Sequence, residues 1–157
     1  MAMNELLINP VQESVVNILS MMADLLPRTE EPTIKSGEFD SGDVTGIIDL
    51  ISEKKKGSIA ISFSKPVAIE IARRMLGVEN EVSDDEIIDL VGEITNMMAG
   101  GAKAKLHEHG YDFDMTIPRV IVDLDNVLGQ RAQGPTIILP FATETGKFYV
   151  ELCFIEE

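Results

Sequence analysis

The chain has 157 residues, 45% of them hydrophobic, and 27 acidic against 13 basic side chains give a formal charge of −14. That length suits one domain with a single core, and no apolar run reaches the roughly 18 to 20 residues of a membrane span. So negative a field repels phosphate backbones and anionic lipid heads, which excludes nucleic acid and membrane surfaces as expected partners.

The N-terminal stretch MAMNELLINPVQESVV has no basic region followed by an apolar block and a small-residue cleavage site, so no export signal is expected. Asn9 and Pro10 read as a helix start, an N-cap amide followed by a proline in the first turn, and the helix should end before Pro27. Val11, Val15, Ile18, Met22 and Leu25 recur at helical spacing as a buried stripe, with Glu13, Asn17, Ser20 and Asp24 on the outer side. After the loop RTEEP, the stretches TIKSGEF, VTGIIDLIS and SIAISF read as strands. EKKKG would be a charged hairpin turn between the last two.

Ser64, Lys65 and Pro66 open a short second helix that Gly77 closes with a left-handed cap. Ser83, Asp84, Asp85 and Glu86 then form a capping box at the strongest helix start in the chain. This third helix should run to about Leu106, with Gly110 near its exit. FDMTIPRVIVDL, PTIILPFAT and KFYVELCFIE read as strands, the last two joined at TETGK. Helix, strands, two helices and strands again do not alternate as in a doubly wound sheet. The pattern predicts α+β: residues 1–157 as a single layered domain rich in antiparallel sheet.

On the third helix Ile87, Val91, Ile94 and Met98 form the core stripe, with Leu90 and Met97 at its edge. Asp89, Gly92, Glu93, Asn96, Gly100 and Lys103 cluster on the opposite side. Glu93 and Asn96 stand one turn apart at i and i+3, so their side chains are neighbours. Each interior glycine costs a helix roughly 1 kcal/mol relative to alanine, and a low surface there would let a partner dock closely while Glu93 and Asn96 enter its recess. The same pattern also fits glycines that relieve crowding and an acid–amide pair that is merely solvated.

The remaining motifs are weaker. His107-Glu108-His109 reads as a helix end, because histidines two apart point to different faces and no further ligands accompany them. Asp123-Leu-Asp125-Asn126 lacks the glycine and distal glutamate of a calcium loop and reads as a turn. The segment from Gly129 to Gly134 is a polar connection, and Met21-Met22 and Met97-Met98 read as core packing. The one cysteine, Cys153, sits in the apolar context ELCFIEE; a buried small hydrophobe and a reducing cytoplasm are expected.

Asp89-x-x-x-Glu93-x-x-Asn96, followed by Pro118 in a predicted strand beyond the helix, resembles the signature of the CheX and CheC chemotaxis phosphatases. LLINPVQESVVNIL and GSIAISFSKPVAIEIARRMLG are also similar to CheX, so the likeness runs through most of the chain. Pro118 stands one residue closer to Asn96 than in the family pattern. CheC-type members can carry a second ExxN pair on the first helix. Here Glu13 and Asn17 are spaced i and i+4, which favours CheX and a single site.

The resemblance implies an α+β fold with long helices on an exposed face, a homodimer, and hydrolysis of the aspartyl phosphate on a CheY-like response-regulator receiver domain. By this likeness Asn96 would position the attacking water and Glu93 would pair with the receiver's phosphate-site lysine. Asp89, Gly92 and Gly100 would shape the contact face. Mg²⁺ would be supplied by the receiver, and this chain would bind no metal or cofactor itself. Two other classes fit the same face: a non-catalytic module that binds a receiver or flagellar-switch protein, and a structural scaffold.

Overall fold

The computed structural model describes residues 3–35, 42–53, 55–122 and 136–156. Among these described residues three helices, α1 (Met3–Ala23), α2 (Lys65–Leu76) and α3 (Asp84–Glu108), accompany eight strands. The strands are β1 (Arg28–Thr29), β2 (Thr33–Lys35), β3 (Val44–Ile51), β4 (Lys55–Phe63), β5 (Asp114–Met115), β6 (Arg119–Val122), β7 (Thr136–Ala142) and β8 (Lys147–Glu156). They form one sheet in the order β1-β7-β8-β4-β3-β5, with β2 also on β7 and β6 also on β3. Every strand pair is antiparallel.

The helices lie on one face of this sheet. Alternation along the strands sends Ile48, Leu50, Ile59, Ile61, Leu139, Val150 and Leu152 into the cluster that also holds Leu7, Val11 and Val15 of α1, Ile71 of α2, and Val91, Ile94 and Met98 of α3. Burying such side chains stabilises by about 1.5–3 kcal/mol each. On the other face Thr45 and Ser62, paired across β3 and β4, share a buried hydrogen bond of 2.9 Å between their hydroxyls. Cys153, nearly fully buried, lies on that face too.

Several predicted boundaries move. Helix α1 begins at Met3 and carries Pro10 in its interior; LeuLeuIle at 6–8 extends the apolar stripe upstream, with Leu7 fully buried, and packing of that stripe outweighs the backbone bond that proline removes. At the other end Asp24 adopts a left-handed φ of 49°, and the Leu25 N–H donates to the Leu19 carbonyl at 3.1 Å. Met22 is 37% exposed, and Met21, which faces away from the buried stripe, is 80% exposed; neither belongs to the core.

RTEEP includes a short strand, β1, on β7. Strand β4 already begins at Lys55, so the hairpin turn is tighter than EKKKG; the Ser52 N–H donates to the Lys55 carbonyl at 2.9 Å. The predicted strand 113–124 is split. Thr116, Ile117 and Pro118 separate β5 from β6: proline offers no N–H to the ladder, and the Asp49 N–H donates to Thr116 Oγ1 at 3.0 Å. The turn at 123–126 and the connection 129–134 lie outside the described residues.

The caps of α2 and α3 match the sequence signals. Gly77 closes α2 at φ 67°. Ser83 Oγ accepts from the Glu86 N–H and Glu86 Oε1 from the Ser83 N–H, both at 3.1 Å. His107 and His109 sit at the helix end: His107 Nδ1 bonds the Asp112 carboxylate, and His109 Nδ1 donates to the Lys105 carbonyl.

Candidate functional site on helix α3

Helix α3 lies on β3 at an unusually short distance. A Cβ added to Gly46 would fall 1.8 Å from Thr95 Oγ1, and Thr95, fully buried, turns that hydroxyl onto the Val91 carbonyl at 2.6 Å. Ile87, Val91, Ile94, Thr95, Met98, Ala99, Ala102 and Leu106 form the buried side of the helix. Their packing leaves Asp89, Glu93 and Asn96 exposed.

Two contacts orient this polar stripe. Gly92, half-buried, is the point where β6 comes alongside: a Cβ there would meet Val120 Cγ2 at 3.4 Å. On the far side Gly101 faces α1, since its Cβ would come within 2.8 Å of Ser14 Oγ. Taking Gly92 as the origin and about 100° per residue, Asn96 falls near 40°, Asp89 near 60°, Gly100 near 80°, Glu93 near 100°, Met97 near 140° and Gly101 near 180°. The acid–amide stripe therefore runs between β6 on one side and α1 on the other. Nothing lies within 4 Å of a Cβ on Gly100, so the stripe continues into an open, low surface.

Helices α1 and α3 run in opposite directions. Arg74 at the end of α2 donates to the Asp24 carbonyl at the end of α1 at 2.9 Å, so the ends of α1 and α2 meet near the start of α3. From the contact of Ser14 with Gly101, Met21 stands two turns along α1 and Met97 about one turn back along α3. Both line a shallow groove with Ile18, Asn17 and Ala104. Met97, half-buried, is the residue next to Asn96. Met21 reads as core packing in the sequence; in the fold it stands off the apolar stripe of α1, on the side of Ser14 and Asn17, and is exposed.

The arrangement offers an acid and an amide, one turn apart and free of the helix backbone, on a rigid support. An amide presents both a donor and an acceptor to a water, and a carboxylate suits a cation. Among the described residues no group of three or more His, Cys, Asp or Glu side chains could hold a metal ion, and no helix is long and apolar enough to cross a membrane.

A family model described as "Chemotaxis phosphatase CheX" matches residues 44–142. The "CheY-P phosphatase CheX" of Thermotoga maritima is 30% identical over 125 residues, covering 78% of this chain and 79% of that protein. A crystal structure of the chemotaxis protein CheX from Vibrio vulnificus is 39% identical, with a TM-score of 0.84 over 94% of this chain and 98% of that one. The fold is shared further with the Borrelia burgdorferi protein of a CheX–CheY–BeF3–Mg complex, at 23% identity and a TM-score of 0.79 over 95% and 97% of the two chains. With the matched region spanning β3 to β7 and the whole of α3, the chain belongs to the chemotaxis phosphatase CheX family.

Proposed function

We propose that this chain, like the Thermotoga maritima relative named a CheY-P phosphatase, removes the aspartyl phosphate of a CheY-like receiver domain, and that α3 supplies the chemistry. The observation that carries the reading is the exposed Glu93–Asn96 pair on a helix whose opposite side is locked into the core. Asn96 orients a water in line with phosphorus. Attack forms the new P–O bond while the bond from phosphorus to the aspartyl oxygen breaks, leaving the receiver's carboxylate and inorganic phosphate. An acyl phosphate is already activated, so positioning is the main task left to the protein. An amide does this without adding negative charge beside the phosphoryl oxygens.

Glu93 pairs with the receiver's phosphate-site lysine, and Asp89, Gly92 and Gly100 shape the contact face. Mg²⁺ belongs to the receiver; a CheX-fold protein has been crystallised with CheY, BeF3 and Mg²⁺. In this reading residues 1–157 act as one domain, in the cytoplasm with the response regulator and as a homodimer, and no cofactor is bound by the chain itself. The test is the decay of phosphorylated CheY in Mg²⁺ with substoichiometric protein. The wild type accelerates decay with turnover, and Asn96→Ala abolishes the acceleration while the fold is retained. Binding without faster decay would instead identify a recognition module.

A further inference from the structure

Two side chains stand out on the flanks of the α3 stripe. Ile117 is 86% exposed and Met21 80% exposed, the highest values of any large apolar residue among the described residues. Single exposed hydrophobic residues are ordinary on protein surfaces. Their placement here is not scattered. Met21 lines the α1–α3 groove together with Met97, the neighbour of Asn96. Ile117 lies on the opposite flank, three residues before Val120, the side chain that meets Gly92.

The frame of the sheet sets the height of Ile117 along the helix. Arg119 pairs with Ile47 and Met115 with Leu50, and the Thr116 N–H is bonded to the Asp49 carbonyl at 3.0 Å. Strand β3 meets α3 at Gly46 and Thr95 and continues toward the last turn of the helix, where the Tyr111 N–H returns to the Leu106 carbonyl. The connection Thr116–Pro118 thus runs beside the turns of α3 that follow Thr95, those of Asn96 and Gly100. Ile117 therefore stands in the connection on the β6 side of the polar stripe, and Met21 in the groove on its α1 side.

We infer that Met21 and Ile117 are a pair of apolar contacts that grip the phosphorylated receiver domain on the two sides of the Glu93–Asn96 stripe. The inference rests on the function proposed above and adds the residues that hold the substrate protein without touching its phosphoryl group. A protein partner seated over Asn96 and the open surface at Gly100 must cover both flanks, because they border the same stripe. Burying the two side chains adds apolar area around the polar centre, and exclusion of water from that centre strengthens the pairing of Glu93 with a cation. The flexible thioether of Met21 adapts to the partner's surface. Ile117 is held in place by Pro118 and by the Thr116 bonds to Asp49.

The experiment compares wild type, Asn96→Ala and the double variant Met21→Ser/Ile117→Ser. Dephosphorylation of CheY-P is followed over a range of CheY-P concentrations, and binding is measured to CheY loaded with beryllofluoride and Mg²⁺. Thermal unfolding and sedimentation check the fold and the oligomeric state of each protein. The expected result is a rise of at least tenfold in both KM and Kd for the double variant, with kcat within about threefold of wild type and unchanged melting. Unchanged KM and Kd in the double variant, with Asn96→Ala inactive, overturns the inference and leaves the phosphatase reading standing. A double variant that sediments as a smaller species while Kd is unchanged also overturns it, assigning the two side chains to a contact between copies. No acceleration by the wild type overturns the phosphatase reading, and the inference with it.

Discussion

Gly46 and Thr95 touch so closely that no other residue fits at position 46: a Cβ there would sit 1.8 Å from the threonine hydroxyl oxygen. This contact sets how near α3 approaches the sheet, and so how far Asn96, the next residue, stands out from it. Gly46→Ala should destabilise by about 1–3 kcal/mol as α3 is pushed outward. Thr95→Ala in the same chain should recover part of that loss, with a coupling of about 0.5–3 kcal/mol in a double-mutant cycle from denaturant unfolding. Additive losses would mean that the two residues do not share this contact.

Glu93→Gln keeps the shape of the side chain and removes its charge. If the carboxylate pairs with a receiver lysine, loss of a charged hydrogen bond worth about 1.5–3 kcal/mol should raise KM for CheY-P by about 10- to 100-fold. The wild-type KM should itself rise with ionic strength, and that dependence should weaken in the variant. Steady-state kinetics at several salt concentrations distinguish this from a general loss of structure.

The neighbouring glycines of α3 should respond differently to alanine. Gly100→Ala adds a methyl group into open space and removes a helix penalty of about 1 kcal/mol, so melting should occur at higher temperature. Gly101→Ala drives the methyl group to within 2.8 Å of Ser14 Oγ on α1 and should be neutral or destabilising. Gly100→Leu should melt no lower than wild type yet bind beryllofluoride-loaded CheY more weakly, since it raises the surface beside Asn96.

Ser83→Ala removes one half of the capping box at the start of α3. The expected cost is about 1 kcal/mol, visible as a small fall in melting temperature. Phosphatase activity well below the melting point should be retained, because Glu93 and Asn96 lie two turns or more inside the helix. An activity loss at low temperature would show that fraying of the first turns reaches the site.

What the sequence determined by itself was local. The extent of α3 follows from a capping box at Ser83 and an apolar period that continues to Leu106, both properties of residues a few positions apart. The outward placement of Asp89, Glu93 and Asn96 follows from that same period. The breaks at Pro27, Gly77 and Gly146 are signalled by backbone preferences of single residues. Proline at 10 misled, because packing of Leu7 and Val11 against the sheet outweighs a local start signal.

Only the tertiary structure decided what borders the polar stripe. Val120 reaches Gly92 because β6 pairs with β3, and Ser14 reaches Gly101 because α1 crosses α3 in the opposite direction. Met22 keeps the apolar period of α1 and is nevertheless 37% exposed. Exposure, unlike helical phase, depends on residues distant in the chain. The two flanks that turn an exposed acid–amide pair into a surface with sides exist only once the sheet has brought them together.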